Sequence, residues 1–293
     1  MTPTLDALRA RLRVVAPALA DGTIVPRGLE PSDDPEWCAA SAVVDDRFVV
    51  KFAWSAPAAE RIHYQARVLE ALHAAAPHLP LPELVAASHE PPMVILRYVP
   101  ADTFFAMRRH IGPSDRSTVA HDLASVLAQL HHPSLLRTVS RTISPLPARA
   151  VDAPDARHLG QAQTWCEWAD EVLATPGRKA LVHGDFHGDN HLWNGGRLRL
   201  IVDLETVGTG EPEFDLRCLP GDCGVELFLD VVAQYEQLTA SRLDIARVMA
   251  WHVRTVLDDL IWRTRAGVPL PDGRSQSEWI DDLARRLAAL NLC

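Results

Sequence analysis

Between Val182 and Asp203 the sequence sets an aspartate, an asparagine five positions later and a second aspartate beyond a tight turn, each beside an apolar, strand-like segment. Asn194-Gly195-Gly196 separates Leu192-Trp193 from Arg197 to Val202, and an Asn-Gly or Gly-Gly pair between short strands is a strong hairpin signal. Folding back there brings Asn190 and Asp203 to the same open end of a β-ribbon, where opposed residues lie about 5 Å apart. At that spacing an amide oxygen and a carboxylate can share one Mg²⁺. Asp185, on the loop just before, faces whatever the metal holds. A carboxylate for an acceptor hydroxyl and two hard oxygen ligands for a cation make up the set that phosphoryl transfer needs.

A second reading starts from the alternation of His183, Asp185, His187, Asp189 and His191, which a regular strand would place on one face as a hydrolytic metal site. Gly184 and Gly188 interrupt such a strand, and no further His/Asp cluster follows downstream. The pattern His183-Gly184-Asp185-x-x-x-x-Asn190, followed by an apolar strand ending in Asp203, resembles the aminoglycoside phosphotransferase family of small-molecule and antibiotic kinases. That resemblance implies an α+β, protein-kinase-like two-lobed fold with a small antiparallel-sheet N-lobe and a larger, mostly helical C-lobe. It also implies a catalytic role for Asp185 and magnesium binding by Asn190 and Asp203. The continuation to Asp215-Leu216 matches the same family, with Asp215 expected to cap a helix or brace the catalytic loop.

Lysine usage points the same way. Of 29 Lys plus Arg only Lys51 and Lys179 are lysines. Lys51 ends the β-type run Arg47 to Lys51 after the Asp45-Asp46 turn, where a compact ammonium reaches the α- and β-phosphates of ATP in kinase-like folds. Lys179, before Ala180-Leu181-Val182, reads as a surface residue. The family pairs the strand lysine with a glutamate on the next helix. Here residues 58–75 carry that helix, with Ile62, Ala66, Leu69 and Leu72 at helical spacing, and the aligned position holds Gln65. Gln65 is therefore the expected partner, through a hydrogen bond, with Glu60 second. The run from Arg27 to Trp37 lacks a glycine-rich phosphate loop, and no Walker-type motif occurs. Met93 to Pro100 resembles the family's interlobe linker, which assigns adenine recognition to the main chain of Arg97 and Val99.

At 293 residues and 47% apolar, the chain supports one kinase-sized unit, divided as 1–97 and 98–293. A formal charge of −9 disfavours nucleic acid or anionic membrane as a partner. No apolar run reaches the ~18 residues of a membrane span. The first twenty residues read as an amphipathic helix rather than an export signal. Five cysteines without metal spacing fit reduced thiols and a cytoplasmic location.

Strands are expected around 38–44, 48–52, 84–88 and 93–96, and helices over 115–130, 156–173, 225–238, 241–265 and 275–290, with a Pro/Ala-rich loop at 145–154. Trp165 and Trp168 read as packing residues, and His131-His132 as a cap or solvated pair at a helix end. Asp258-Asp259, Glu226 with Asp230, and Asp281-Asp282 are acidic clusters that either receive ammonium groups of an acceptor or form solvated helix faces. The expected partners are ATP, with GTP open, Mg²⁺ and a small hydroxylated acceptor, cationic in some cases, on a monomer or homodimer. The expected activity is phosphorylation of an antibiotic hydroxyl. A metabolic kinase for a sugar or amino alcohol is the rival, and an inactive nucleotide-binding regulator the non-enzyme alternative.

Overall fold

Helix α1 (Leu5–Val15) is capped by Thr4 and drives Leu8 and Leu12 into an apolar cluster with the strands that follow. Those strands are β1 (Ile24–Arg27), β2 (Ala39–Val44), β3 (Phe48–Ala53), β4 (Leu84–Ser88) and β5 (Met93–Arg97), joined antiparallel in the order β1-β2-β3-β5-β4. The computed structural model describes residues 4–29, 32–146 and 160–292. Asp45 and Asp46 both take positive φ, 53° and 51°, the turn geometry that lets β2 and β3 keep their right-handed twist. Helix α2 (Ala56–Ala75), capped by Ser55, packs Ile62, Val68, Leu69 and Leu72 into the main core.

Beyond Arg97 the chain turns mainly helical. It runs through β6 (Asp102–Thr103), α3 (Phe104–Met107), α4 (Arg116–Leu130), α5 (Pro133–Val139), β7 (Ser144–Pro145), α6 (Gln161–Leu173) and β8 (Ala180–Val182). The ribbon β9 (His191–Asn194) and β10 (Arg197–Ile201) follows, then β11 (Gly208–Gly210), α7 (Pro212–Asp215), α8 (Leu219–Asp222), α9 (Gly224–Thr239), α10 (Ile245–Ala266) and α11 (Gln276–Ala289). Val119, Leu123, Val126, Leu127 and Leu130 form the buried stripe of α4 that helical periodicity predicts. Trp165 is buried in a second cluster between α6 and α10, as a packing residue.

The sheet and the helical part are stitched together at two places that bear on the site. The Tyr64 hydroxyl, from α2, donates to the Val207 carbonyl at 2.6 Å and accepts from the Ser144 amide at 3.0 Å. The Ile201 amide donates to the Pro80 carbonyl at 2.7 Å. Among the described residues no helix is long and apolar enough to cross a membrane.

Several expectations change. Strand β1 lies outside the strands expected from the sequence, because Pro26 and a single buried residue give it no alternation. His131 is the C-cap of α4, as expected, but it is not solvated: its ring is buried, with Nδ1 on the Tyr235 hydroxyl and Nε2 on Asp215. His132 caps the next helix, accepting the Ser134 amide at the start of α5. Of the 145–154 loop, Pro145 lies in β7 and 147–154 fall outside the described residues, as do 156–159 of the helix expected over 156–173.

Candidate active site

The hairpin forms as the sequence dictates. Gly195 and Gly196 take φ of 60° and 71°, a two-residue turn that requires positive φ at both positions. A bulge between Leu198 and Leu200 shifts the register, and the ribbon ends with the Val202 amide donating to the Asn190 carbonyl at 2.8 Å. Asp203 therefore lies one residue past the opposed pair, in a left-handed conformation (φ 66°, ψ 59°). Such backbone in a non-glycine residue costs roughly 1–3 kcal/mol and is kept where a side chain must be aimed. Here the Asp203 carboxylate reaches the Lys51 ammonium, Oδ1 to Nζ 2.7 Å.

The loop from His183 to Asn190 is held from beneath. The buried Asp215 carboxylate accepts the amides of His183 and Gly184 at 2.7 and 2.8 Å, which bears out the bracing role expected of it. The His183 ring accepts the Asp185 amide at Nδ1 and donates from Nε2 to the Val202 carbonyl at 2.9 Å, so one neutral tautomer satisfies both. Burial lowers its pKa accordingly. Gly184 takes φ 82°, and a Cβ there would lie 2.3 Å from the Thr206 carbonyl oxygen. No other residue fits that position without moving the segment after β10.

These contacts leave the Asp185 carboxylate free to be shaped by its neighbours. Asn190 Nδ2 donates to the Asp185 carbonyl at 2.9 Å and to its Oδ2 at 3.1 Å. His187 Nε2 lies 3.4 Å from Oδ2, and the buried Arg217 guanidinium lies 3.7 Å from Oδ1 while donating to the Gly184 carbonyl at 2.9 Å. Burial alone would push the Asp185 carboxyl up. The His187 hydrogen bond and the charges of His187, Arg217 and His183 outweigh it and hold the group below its ordinary value. His187 is raised in turn, first by its bond to Asp185. A further brace comes from Asp222, which accepts the Gly188 amide at 2.9 Å; its own carboxyl is pushed up to about 6, chiefly by burial.

The donor end of the Asn190 amide is thus occupied by Asp185, which leaves its Oδ1 without a protein partner among the described residues; Asp203 Oδ2 has none either. Two such oxygens beside a lysine suit a hard, oxygen-seeking divalent ion. The alternating histidines do not assemble a site of their own. His191 is buried, stacks on Phe186 at 5.0 Å and accepts the Trp193 indole N–H. Among the described residues no group of three or more His, Cys, Asp or Glu is arranged to hold a metal.

The expected partner of Lys51 is overturned. Gln65 is fully buried on α2 and makes no hydrogen bond, and Glu60 pairs with Arg67. Lys51 Nζ instead meets Asp203 and Glu205, at 2.7 and 3.2 Å. Helix position alone cannot rank a partner 154 residues away. At the linker, the Arg97 amide already donates to the Glu83 carbonyl and the Tyr98 amide to the Arg47 carbonyl, both at 2.9 Å. The main-chain N–H and C=O of Val99 have no partner among the described residues.

A cavity of about 1240 Å³ opens beside the loop, lined by Gly184 and Arg217 and walled by Tyr64, Leu146, Phe214 and Trp251. Lys179 reaches its rim as an exposed residue. The acidic clusters offered by the sequence are mostly ion-paired within the chain. Asp258 and Asp259 pair with Arg254 and Arg263, Glu226 and Asp230 with Arg116, and Asp282 with Arg274, Arg285 and Arg286.

With this geometry in hand, the similarities to other proteins become informative. The family model of the APH phosphotransferase enzyme family matches residues 39–251. Among curated proteins no sequence matches the chain significantly. The GDP and kanamycin complex of APH(2")-IIIa is similar over 98% of both chains, with 16% identity and a TM-score of 0.72. The streptomycin-ATP complex of APH(2")-IIa is similar over 92% of this chain and 91% of its own, at 17% identity and a TM-score of 0.61. The macrolide 2'-phosphotransferase MphH from Brachybacterium faecium is similar over 95% of this chain and 97% of its own, at 18% identity and a TM-score of 0.62.

Proposed function

The chain belongs to the APH phosphotransferase enzyme family, with its kinase-like fold, and from that premise we propose that it moves the γ-phosphoryl group of ATP to a hydroxyl of an antibiotic-sized acceptor. The observation that carries this reading is the way Asn190 is held. Its donor end is locked onto Asp185 while its acceptor oxygen stays open, so a proton-accepting carboxylate and a ligand oxygen are fixed by one side chain.

In this reading Asp185 orients the acceptor hydroxyl and accepts its proton late, because the transition state is loose and depends on positioning. His187 and Arg217 keep that carboxylate ionised and aimed. Asn190 Oδ1 and Asp203 would hold Mg²⁺, which supplies charge neutralisation on the triphosphate. Lys51 adds a compact cation at the phosphates. Val99, with the carbonyl of Arg97, would meet the adenine edge, and the nucleotide would lie between a lobe of residues 1–97 and one of residues 98–293. GTP remains an alternative donor, since GDP, ATP and ADP are named with the similar structures.

The acceptor would occupy the cavity beside Gly184 and Arg217. Its volume of about 1240 Å³ is above the roughly 300–1,000 Å³ of most small-ligand pockets and leaves room for an antibiotic-sized molecule. An aminoglycoside, a macrolide or another hydroxylated antibiotic is the proposed class. An ATP-consumption screen across such antibiotics, sugars and amino alcohols, with drug susceptibility of cells expressing the chain, tests it. Acceleration by an antibiotic, with a matching rise in resistance, is expected. Acceleration by sugars or amino alcohols alone would make the chain a metabolic kinase, and nucleotide binding with no productive acceptor would make it a regulator.

Asp203→Asn gives an expected result that needs no acceptor. It should weaken the Mg²⁺-dependent part of ADP binding by roughly 100-fold, because a carboxylate ligand is exchanged for a neutral one. ADP titrations with and without Mg²⁺ read this directly, and an unchanged magnesium effect would remove Asp203 as a ligand.

A further inference from the structure

Lys51 is largely buried among groups that its own neighbourhood in sequence does not explain. The helix that follows β3 offers it no carboxylate. Gln65 is enclosed with both side-chain polar atoms unpartnered, and Glu60 is 69% exposed and bound to Arg67. Glu70 lies on the exposed face. The carboxylates that do reach Nζ come from the turn after β10, and the two differ in surroundings. Asp203 is 46% exposed at the mouth of the proposed metal site, whereas Glu205 is 13% exposed and enclosed.

Glu205 is itself gripped. Its Oε1 faces Lys51 at 3.2 Å, while its Oε2 takes two bonds from Arg61 of α2, from Nε at 3.0 Å and Nη2 at 2.7 Å. The third Arg61 nitrogen donates to the Glu36 carbonyl at 2.7 Å, and the guanidinium lies 5.1 Å from the Trp37 ring centre. One chain of contacts therefore runs from β3 through the turn after β10 to α2 and on to the segment before β2. Two N–H donors converging on Oε2 hold that oxygen in place more firmly than a single flexible lysine stem can.

We infer that Glu205, clamped by Arg61, is the residue that positions Lys51, taking the place of an acid on the helix after β3. The inference rests on the nucleotide site proposed above. Its physical basis is a division of labour between the two carboxylates. A ligand carboxylate shares its charge with a divalent ion, so its hold on a neighbouring ammonium weakens when the ion is present. Glu205, enclosed and already oriented by Arg61, keeps its place. The helix then couples to the site through a cation, and α2 and the segment around Glu36 follow the position of Glu205. Glu205 and Arg61 are positioning residues, since neither need touch the nucleotide.

Two measurements on the full chain test this, using variants Glu205→Gln, Arg61→Met and, as control, Glu60→Gln. The first needs no nucleotide. With only two lysines in the chain, ¹⁵N-lysine labelling gives two side-chain ammonium signals to assign. The Lys51 signal should shift in Glu205→Gln and in Arg61→Met and stay in place in Glu60→Gln. The second is titration with ADP and Mg²⁺. Glu205→Gln should weaken affinity by roughly tenfold, Arg61→Met by less, and the double variant by no more than Glu205→Gln alone, as expected of residues acting through one contact. A Lys51 signal unmoved by Glu205→Gln, or an ADP affinity equal to wild type in that variant, would overturn the inference. Equal ADP affinities with an altered melting temperature would show Glu205 to be merely structural and overturn it too. If Glu205→Gln does not fold, Arg61→Met decides by the same two readouts. Wild-type protein that binds no ADP would instead sink the proposed function, while the lysine signals still judge the pairing.

Discussion

Asp185→Asn should lower turnover by roughly a thousandfold or more while leaving ADP affinity within a few-fold of wild type. The substitution is nearly isosteric, so Asn190 and Arg217 keep a polar neighbour, and the loop above Asp215 has no reason to move. What is lost is a charged acceptor for the hydroxyl proton and the acidity that His187 and Arg217 impose on it. The effect therefore falls on kcat rather than on nucleotide binding. Steady-state kinetics with whichever acceptor the screen identifies, paired with an ADP titration, separate the two. Turnover within tenfold of wild type would remove Asp185 from the chemistry. A parallel collapse of ADP affinity would mean that the residue serves the loop rather than the reaction.

Asp215→Ala should be the most destabilising single change considered, with a melting temperature lower by roughly 10 °C. The carboxylate is fully buried and takes the amides of His183 and Gly184 together with the His131 ring. Truncation orphans two buried N–H groups and the histidine at once, each a loss of about 1–3 kcal/mol. Acid weakens the same bonds. Burial pushes the Asp215 carboxyl up, but His131, His183 and the amide bond outweigh it, so in the folded chain the group lies below its ordinary value. Its stabilisation is therefore fully present above the unfolded carboxyl pKa of about 4 and is lost as pH falls through the lower folded value. The gap in melting temperature between wild type and Asp215→Ala should accordingly be full at neutral pH and narrow in acid. A gap that widens on acidification would contradict the ionised, hydrogen-bonded carboxylate.

The contrast between these two residues shows what a sequence reader can see. That Asp185, Asn190 and Asp203 lie close together is legible because a turn of two glycines determines where a short ribbon closes, and all three lie within that segment. Asp215 was legible only as a role, since its amide partners lie 31 and 32 residues upstream. The burial of the His131 ring is not legible, because its partners, Asp215 and Tyr235, are more than eighty residues away and nothing at a helix end announces them. Gln65 was chosen by its place on a helix, which fixes a face but not what the face meets. The acidic clusters divide on the same line. Arg254 with Asp258 and Arg263 with Asp259 are four residues apart and could have been paired on paper. Arg116 with Glu226 and Asp230 needed α4 to lie against α9, which only packing decides.

The Tyr64 hydroxyl, joined at once to Val207 and Ser144, also limits how the enzyme can breathe. A phenol bonded on both sides ties α2 to the segments at Val207 and Ser144, alongside the Ile201–Pro80 bond and the Arg61–Glu205 ion pair. Any widening there would be resisted both at the linker, where the chain itself crosses, and at this fastening. Tyr64→Phe, which keeps the ring and removes both bonds, should loosen this join and lower the melting temperature.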